Sequence, residues 1–130
     1  MAKKYWSIAP APKKPAKLTK DEKIKIEAIV SEEIEKMEKL KNDVARIHIR
    51  AGRVYFYSRK EAEEGKAYIV PVVDGKYLEF MYGRITIWDN EFKKCSLDWQ
   101  RHNDKWIELD KGTLTECIRK MENNDWFCEI

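Results

Sequence analysis

A chain of 130 residues has the length of one domain, and 43% hydrophobic with 12% aromatic residues is too much core material for a disordered one. Charged residues reach 38%, so most of them belong in water, yet 26 basic against 23 acidic side chains leave a net charge of only +3, too small to mark a nucleic-acid protein by itself. Cys95, Cys117 and Cys128 show no CxxC spacing and are odd in number, which argues against a disulfide framework and for a reducing compartment.

No apolar run approaches the ~20 residues of a membrane span, and no apolar stretch follows the first lysines as a signal peptide requires. The expectation is a cytoplasmic protein without membrane association.

Residues 1–17 read as an extended basic Pro-rich arm. Pro10, Pro12 and Pro15 exclude an ordinary helix, and Lys13 and Lys14 stand among lysines with no acidic residue before Asp21. Tyr5, Trp6 and Ile8 are out of place in a solvated linker, so this patch is expected to dock on the domain or on a partner. Residues 18–130 read as a single α+β domain.

That domain opens with a capping box, Thr19 to Glu22. Ile26, Ile29, Val30, Ile34, Met37 and Leu40 follow at steps of three and four, which predicts one amphipathic helix stopping near Asn42.

The period then changes to two. Ala45, Ile47 and Ile49 alternate with Arg46, His48 and Arg50; Ala51-Gly52 offers a tight turn; Val54 and Phe56 alternate with Arg53, Tyr55 and Tyr57. This predicts a hairpin in which Ile49 opposes Val54 and Ile47 opposes Phe56. After a charged connection at 61–66, strands are expected over Ala67–Val73, with Pro71 suiting an edge or bulge. Others are expected over Lys76–Tyr82, past an Asp74-Gly75 turn, and over Arg84–Trp88, beyond a bend at Gly83. Phe92–Gln100 and Lys105–Leu109 form a last pair. A three-residue loop at His102–Asp104 would set Trp99 against Ile107 and Leu97 against Leu109, keeping apolar with apolar. A second capping box, Thr113 to Glu116, starts a short helix whose apolar side is Leu114, Cys117, Ile118 and Met121, ended by Asn123-Asn124; Trp126 and Phe127 then fold back. The expected fold is α+β: an N-terminal amphipathic helix packed on an antiparallel sheet of about six or seven strands, and a short C-terminal helix.

The run Leu97-Asp98-Trp99-Gln100-Arg101, then Lys105-Trp106, Leu114 with Glu116, and Asn124-Asp125-Trp126-Phe127 resembles the C-terminal signature of a group of short bacterial proteins of unknown function. The opening Lys3-Lys4-Tyr5-Trp6-Ser7-Ile8 is similar to the start of some of them. That group carries no assigned activity, so the resemblance bears on the fold and not on the function.

Most chemistries lack a signature. His48, His102 and the three cysteines are unpaired in spacing, unlike the ligands of a structural zinc site, and no metal or cofactor is expected. Cys95 alternates with Leu97 and Trp99, and Cys117 lies on an apolar helix side, so both read as core residues. Asp74, Asp89 and Asp98 can be nominated for paired-carboxylate chemistry, as can many Glu, but Asp74 and Asp89 are accounted for by turns, and with 23 acidic residues such a pairing has almost no specificity. No GxGxxG or Walker pattern cradles a phosphate.

One constellation stands out. The polar face of the first hairpin pairs Arg50 with Arg53, His48 with Tyr55 and Arg46 with Tyr57, and like charges directly opposite destabilise a sheet unless an anion compensates. Arginine with tyrosine can hold phosphates and stack on bases. The sequence therefore points to a non-catalytic binding module for nucleic acid, using Arg46, His48, Arg50, Arg53, Tyr55 and Tyr57 with Lys13 and Lys14 of the arm. The alternatives are a protein-interaction module anchored by Tyr5 and Trp6, and an enzyme without a local motif.

Overall fold

The computed structural model of the protein describes residues 14–61, 72–73, 77–100, 105–124 and 127. The arm through Lys13 with Tyr5 and Trp6, Pro71, the Asp74-Gly75 turn, the His102–Asp104 loop, Trp126 and Cys128 lie outside them. The protein is α+β, with one open antiparallel sheet and a C-terminal helix.

Helix α1 (Lys20–Glu35) starts at the expected capping box: Thr19 Oγ1 accepts from the Glu22 N–H at 3.1 Å, and Glu22 Oε1 accepts from the Thr19 N–H at 2.8 Å. Ile26 and Val30 are fully buried. The single expected helix is in fact two. Met37 is extended, and a separate helix α2 (Glu38–Asp43) follows. The cause is distant in sequence: the carboxylate of Glu122 accepts from the N–H groups of Lys39 (3.1 Å) and Leu40 (2.8 Å). It satisfies the donors that a helix start leaves open.

Strands β1 (Arg46–Arg50) and β2 (Arg53–Glu61) form the expected hairpin with the expected partners, Ile49 with Val54 and Ile47 with Phe56. Ala51 and Gly52 have φ of 50° and 79°, matching a turn that needs left-handed backbone at both central positions. Strand β2 runs on to Glu61, into the stretch expected as a connection. Gly52 is also hemmed in: a β-carbon there would lie 2.6 Å from Ala16 O. The entering chain is stitched at this point, with the Ala16 N–H donating to Ile87 O and the Ile87 N–H donating to Gly52 O, both at 2.9 Å.

The remaining elements are β3 (Val72–Val73), β4 (Tyr77–Ile87), β5 (Cys95–Gln100), β6 (Trp106–Gly112) and α3 (Leu114–Asn123), which opens on the second capping box. The sheet runs β1-β2-β4-β5-β6, with two-residue β3 beside β4. The two strands expected on either side of Gly83 are one, because a bulge absorbs the bend: Phe56 pairs with Gly83 but Tyr57 with Met81, leaving Tyr82 as the extra residue. The Tyr82 hydroxyl lies 2.9 Å from both Asp43 Oδ2 and Phe127 O. Strand β5 begins at Cys95, not Phe92, since Asp89 Oδ1 accepts from the N–H groups of Lys93 and Lys94 and holds 89–94 as a turn.

In the last pair Trp99 opposes Ile107 as expected, but Leu97 opposes Asp110. A second bulge inserts Leu109, which still packs on the core. Helix α3, rather than the longer α1, crosses β4, β5 and β6, while α1 rests on α3 and on β1. Leu114, Cys117, Ile118 and Met121 meet Phe56, Ile85 and Leu97 in this core.

Candidate functional site

Strand alternation gives the sheet a second, polar face, and the described helices pack on the opposite, apolar one. The hairpin contributes Arg46, His48 and Arg50, all exposed, and Arg53, Tyr55, Tyr57 and Arg59, all half-buried. Every cross-strand pair expected on this face is present: Arg46 with Tyr57, His48 with Tyr55, Arg50 with Arg53.

Their electrostatics divide the face in two. At one end Glu79 of β4 takes two arginines. Arg46 Nε and Nη2 donate to its two carboxylate oxygens at 2.8 and 2.6 Å, and Arg59 Nε donates at 3.0 Å. The hydrogen bond from Arg46, aided by that from Arg59, holds the Glu79 carboxyl below its ordinary range, and the bond to Glu79 raises the Arg46 pKa. Arg46 also lies 4.1 Å from the Tyr57 ring centroid, so one face of that tyrosine is already covered. This part of the expected surface is neutralised within the domain.

At the turn end the balance differs. Among the described residues, no carboxylate pairs with Arg50 or Arg53, and Arg53 Nε is enclosed without an acceptor. Lys14 is exposed where the described chain begins, next to Pro15, which packs against Gly52 of the same turn.

The centre of the face carries a network that the sequence did not announce. Asp98 is 4% exposed. It accepts from Arg84 Nε at 2.9 Å, from Thr86 Oγ1 at 2.6 Å and from Ser96 Oγ at 3.2 Å. Trp88 Nε1 donates to Ser96 Oγ at 3.0 Å. Arg84 stacks on the Trp106 ring at 4.1 Å, and Tyr55 meets the same ring edge-on at 6.3 Å. The cross-strand pairing of Arg84 with Asp98 and Thr86 with Ser96 assembles the network. Only strand parity in Ser96-Leu97-Asp98 hinted that these polar groups share the face opposite the core.

The two described cysteines, Cys95 and Cys117, are core residues. Burial pushes the Cys95 and Cys117 thiols up to about 12, so neither is a thiolate at neutral pH. Among the described residues, no group of His, Cys, Asp and Glu is placed to hold a metal ion, and no helix is long and apolar enough to cross a membrane. No protein-family model, curated protein or solved structure matches the chain.

Proposed function

We propose that the protein is a binding module that takes nucleic acid on the open face of its sheet, at the end bearing Arg50 and Arg53. The observation that carries this reading is the direct cross-strand pairing of two arginines that no described carboxylate balances. Sheets avoid such pairs because like charges repel, and a phosphate between them supplies the missing counter-charge in bidentate geometry. Lys14 and the lysines of the arm add electrostatic capture. Arg46, which Glu79 engages, and Tyr57, which Arg46 covers, are supports of the face.

Titration of a fluorescent oligonucleotide at several salt concentrations tests this, with the wild type beside an Arg50→Ala, Arg53→Ala double variant. The variant should fold as well as the wild type, bind more weakly across sequences, and lose roughly one unit of salt slope per phosphate contact removed. Absence of wild-type binding at low salt overturns the reading.

A further inference from the structure

The far end of the open face holds a cleft of about 340 Å³ whose lining includes Trp88, Lys93, Lys94, Glu108 and Lys111. We propose that this cleft takes one unstacked base of a single-stranded nucleic acid, with the adjoining phosphates on Lys94 and Lys111. The inference rests on the proposed function and specifies its ligand.

Three observations carry it. First, one cross-strand row links the two ends of the face: Arg50, Arg53, Thr86, Ser96 and Lys111 are successive partners over β1, β2, β4, β5 and β6. The row has cations at both ends and, between them, two buried hydroxyls that donate to the Asp98 carboxylate of the neighbouring row. At ~4.8 Å per strand it spans roughly 19 Å, the scale on which an open sheet face displays two or three bases. The neighbouring row, which holds Arg84, Asp98 and Glu108, carries the acidic groups.

Second, the aromatic wall is built in advance. The Trp88 indole is half-exposed and fixed by its bond to Ser96, which Asp98 anchors in turn. An immobilised ring offers a stacking surface at little entropic cost.

Third, the local charges favour an anion. Lys94 has no ion-pair partner among the described residues. Lys111 meets Glu108 only at 3.7 Å, with both side chains well exposed, a pairing of little worth in water. Lys93 pairs at the surface with Glu91. The Asp89 carboxylate is engaged by the backbone N–H groups of Lys93 and Lys94. A duplex keeps its bases stacked and paired, so it cannot fill the cleft.

The test compares a fluorescein-labelled oligothymidylate, alone and annealed to oligoadenylate, on the wild type, a Lys94→Ala, Lys111→Ala double variant and Trp88→Phe. Circular dichroism checks the fold of each. The wild type should bind the single strand roughly tenfold more tightly than the duplex and show tryptophan quenching on binding. The lysine variant should lose most of that preference while keeping the weaker duplex affinity. Trp88→Phe, which loses the bond to Ser96 that fixes the ring, should weaken single-strand binding and reduce the quenching. Equal binding of both forms by the wild type, or an unchanged single-strand preference in the lysine variant, overturns the cleft assignment. If Arg50→Ala, Arg53→Ala then still weakens binding, the proposed function stands without the cleft. No binding of either form overturns both.

Discussion

Phe127 rests on the backbone of Gly83: a β-carbon at that glycine would lie 2.7 Å from Phe127 Cε1 and 3.0 Å from Met121 Cε. Phe127 is fully buried, and its carbonyl reaches the Tyr82 hydroxyl at the bulge. Gly83→Ala should therefore cost about 1–3 kcal/mol by overpacking, and Phe127→Ala about 3–5 kcal/mol through the cavity left behind. Urea unfolding of both variants measures the pair. A neutral Gly83→Ala would mean that the ring does not lie against the strand.

The Asp98 network separates charge from shape. Asp98→Ala leaves Arg84, Thr86 and Ser96 without their common acceptor and should destabilise by about 3–5 kcal/mol. Asp98→Asn keeps one acceptor oxygen and should cost roughly half as much. Chemical denaturation with tryptophan fluorescence reads both, since Trp88 reports on the same network.

The carboxylate of Glu122 serves as the helix cap that Met37, which makes no side-chain cap bond, does not provide. Glu122→Ala should cost about 1 kcal/mol, the usual worth of a cap. The loss should appear first as faster amide hydrogen exchange at Lys39 and Leu40, before any change in the sheet. Uniform exchange across the protein would count against this local role.

Stability should decline in acid. Glu79 is held down by hydrogen bonds from Arg46 and Arg59, Glu33 chiefly by its bond from Lys36, and Glu22, Asp110 and Glu116 chiefly by backbone N–H donors. A carboxyl whose folded value is depressed stabilises fully above its unfolded value and loses that contribution as pH falls through the folded one. The decline therefore begins near the ordinary values of 4.5 for the glutamates and 3.8 for Asp110 and deepens below them. Melting temperatures from pH 7 downward check this. Glu79→Gln should lower the neutral-pH plateau and flatten the acid limb, and it should tighten oligonucleotide binding by releasing Arg46.

The legible parts of this protein are those whose cause is local. Thr19 and Glu22, Thr113 and Glu116, and the Ala51-Gly52 turn each act within a few residues, and the hairpin pairing follows from alternation once the turn is placed. The break at Met37 depends on Glu122, far along the chain. The bulges at Tyr82 and Leu109 each add one residue to a strand, and a period of two carries no mark of that. For the candidate site, alternation was enough to pair Arg50 with Arg53. Nothing distinguished Glu79 or Asp98 from the other acidic residues until strand neighbours brought arginines to them, and the Trp88 cleft is likewise formed by segments that meet only in the sheet.

The grip of Glu122 and Phe127 on earlier parts of the chain has a consequence for biosynthesis. Domains are made from the N-terminus at about 5–20 residues per second, and the capping boxes and first hairpin can form as soon as they leave the ribosome. Helix α2 cannot gain its cap, nor the Gly83 bulge its ring, until the segment carrying Glu122 and Phe127 has also emerged. A nascent chain stalled just short of that segment should be caught by proteases at Lys36–Lys41 and along β4, while a chain that includes it resists them. The segment carrying Glu122 and Phe127 thus acts as a check on elements made well before it.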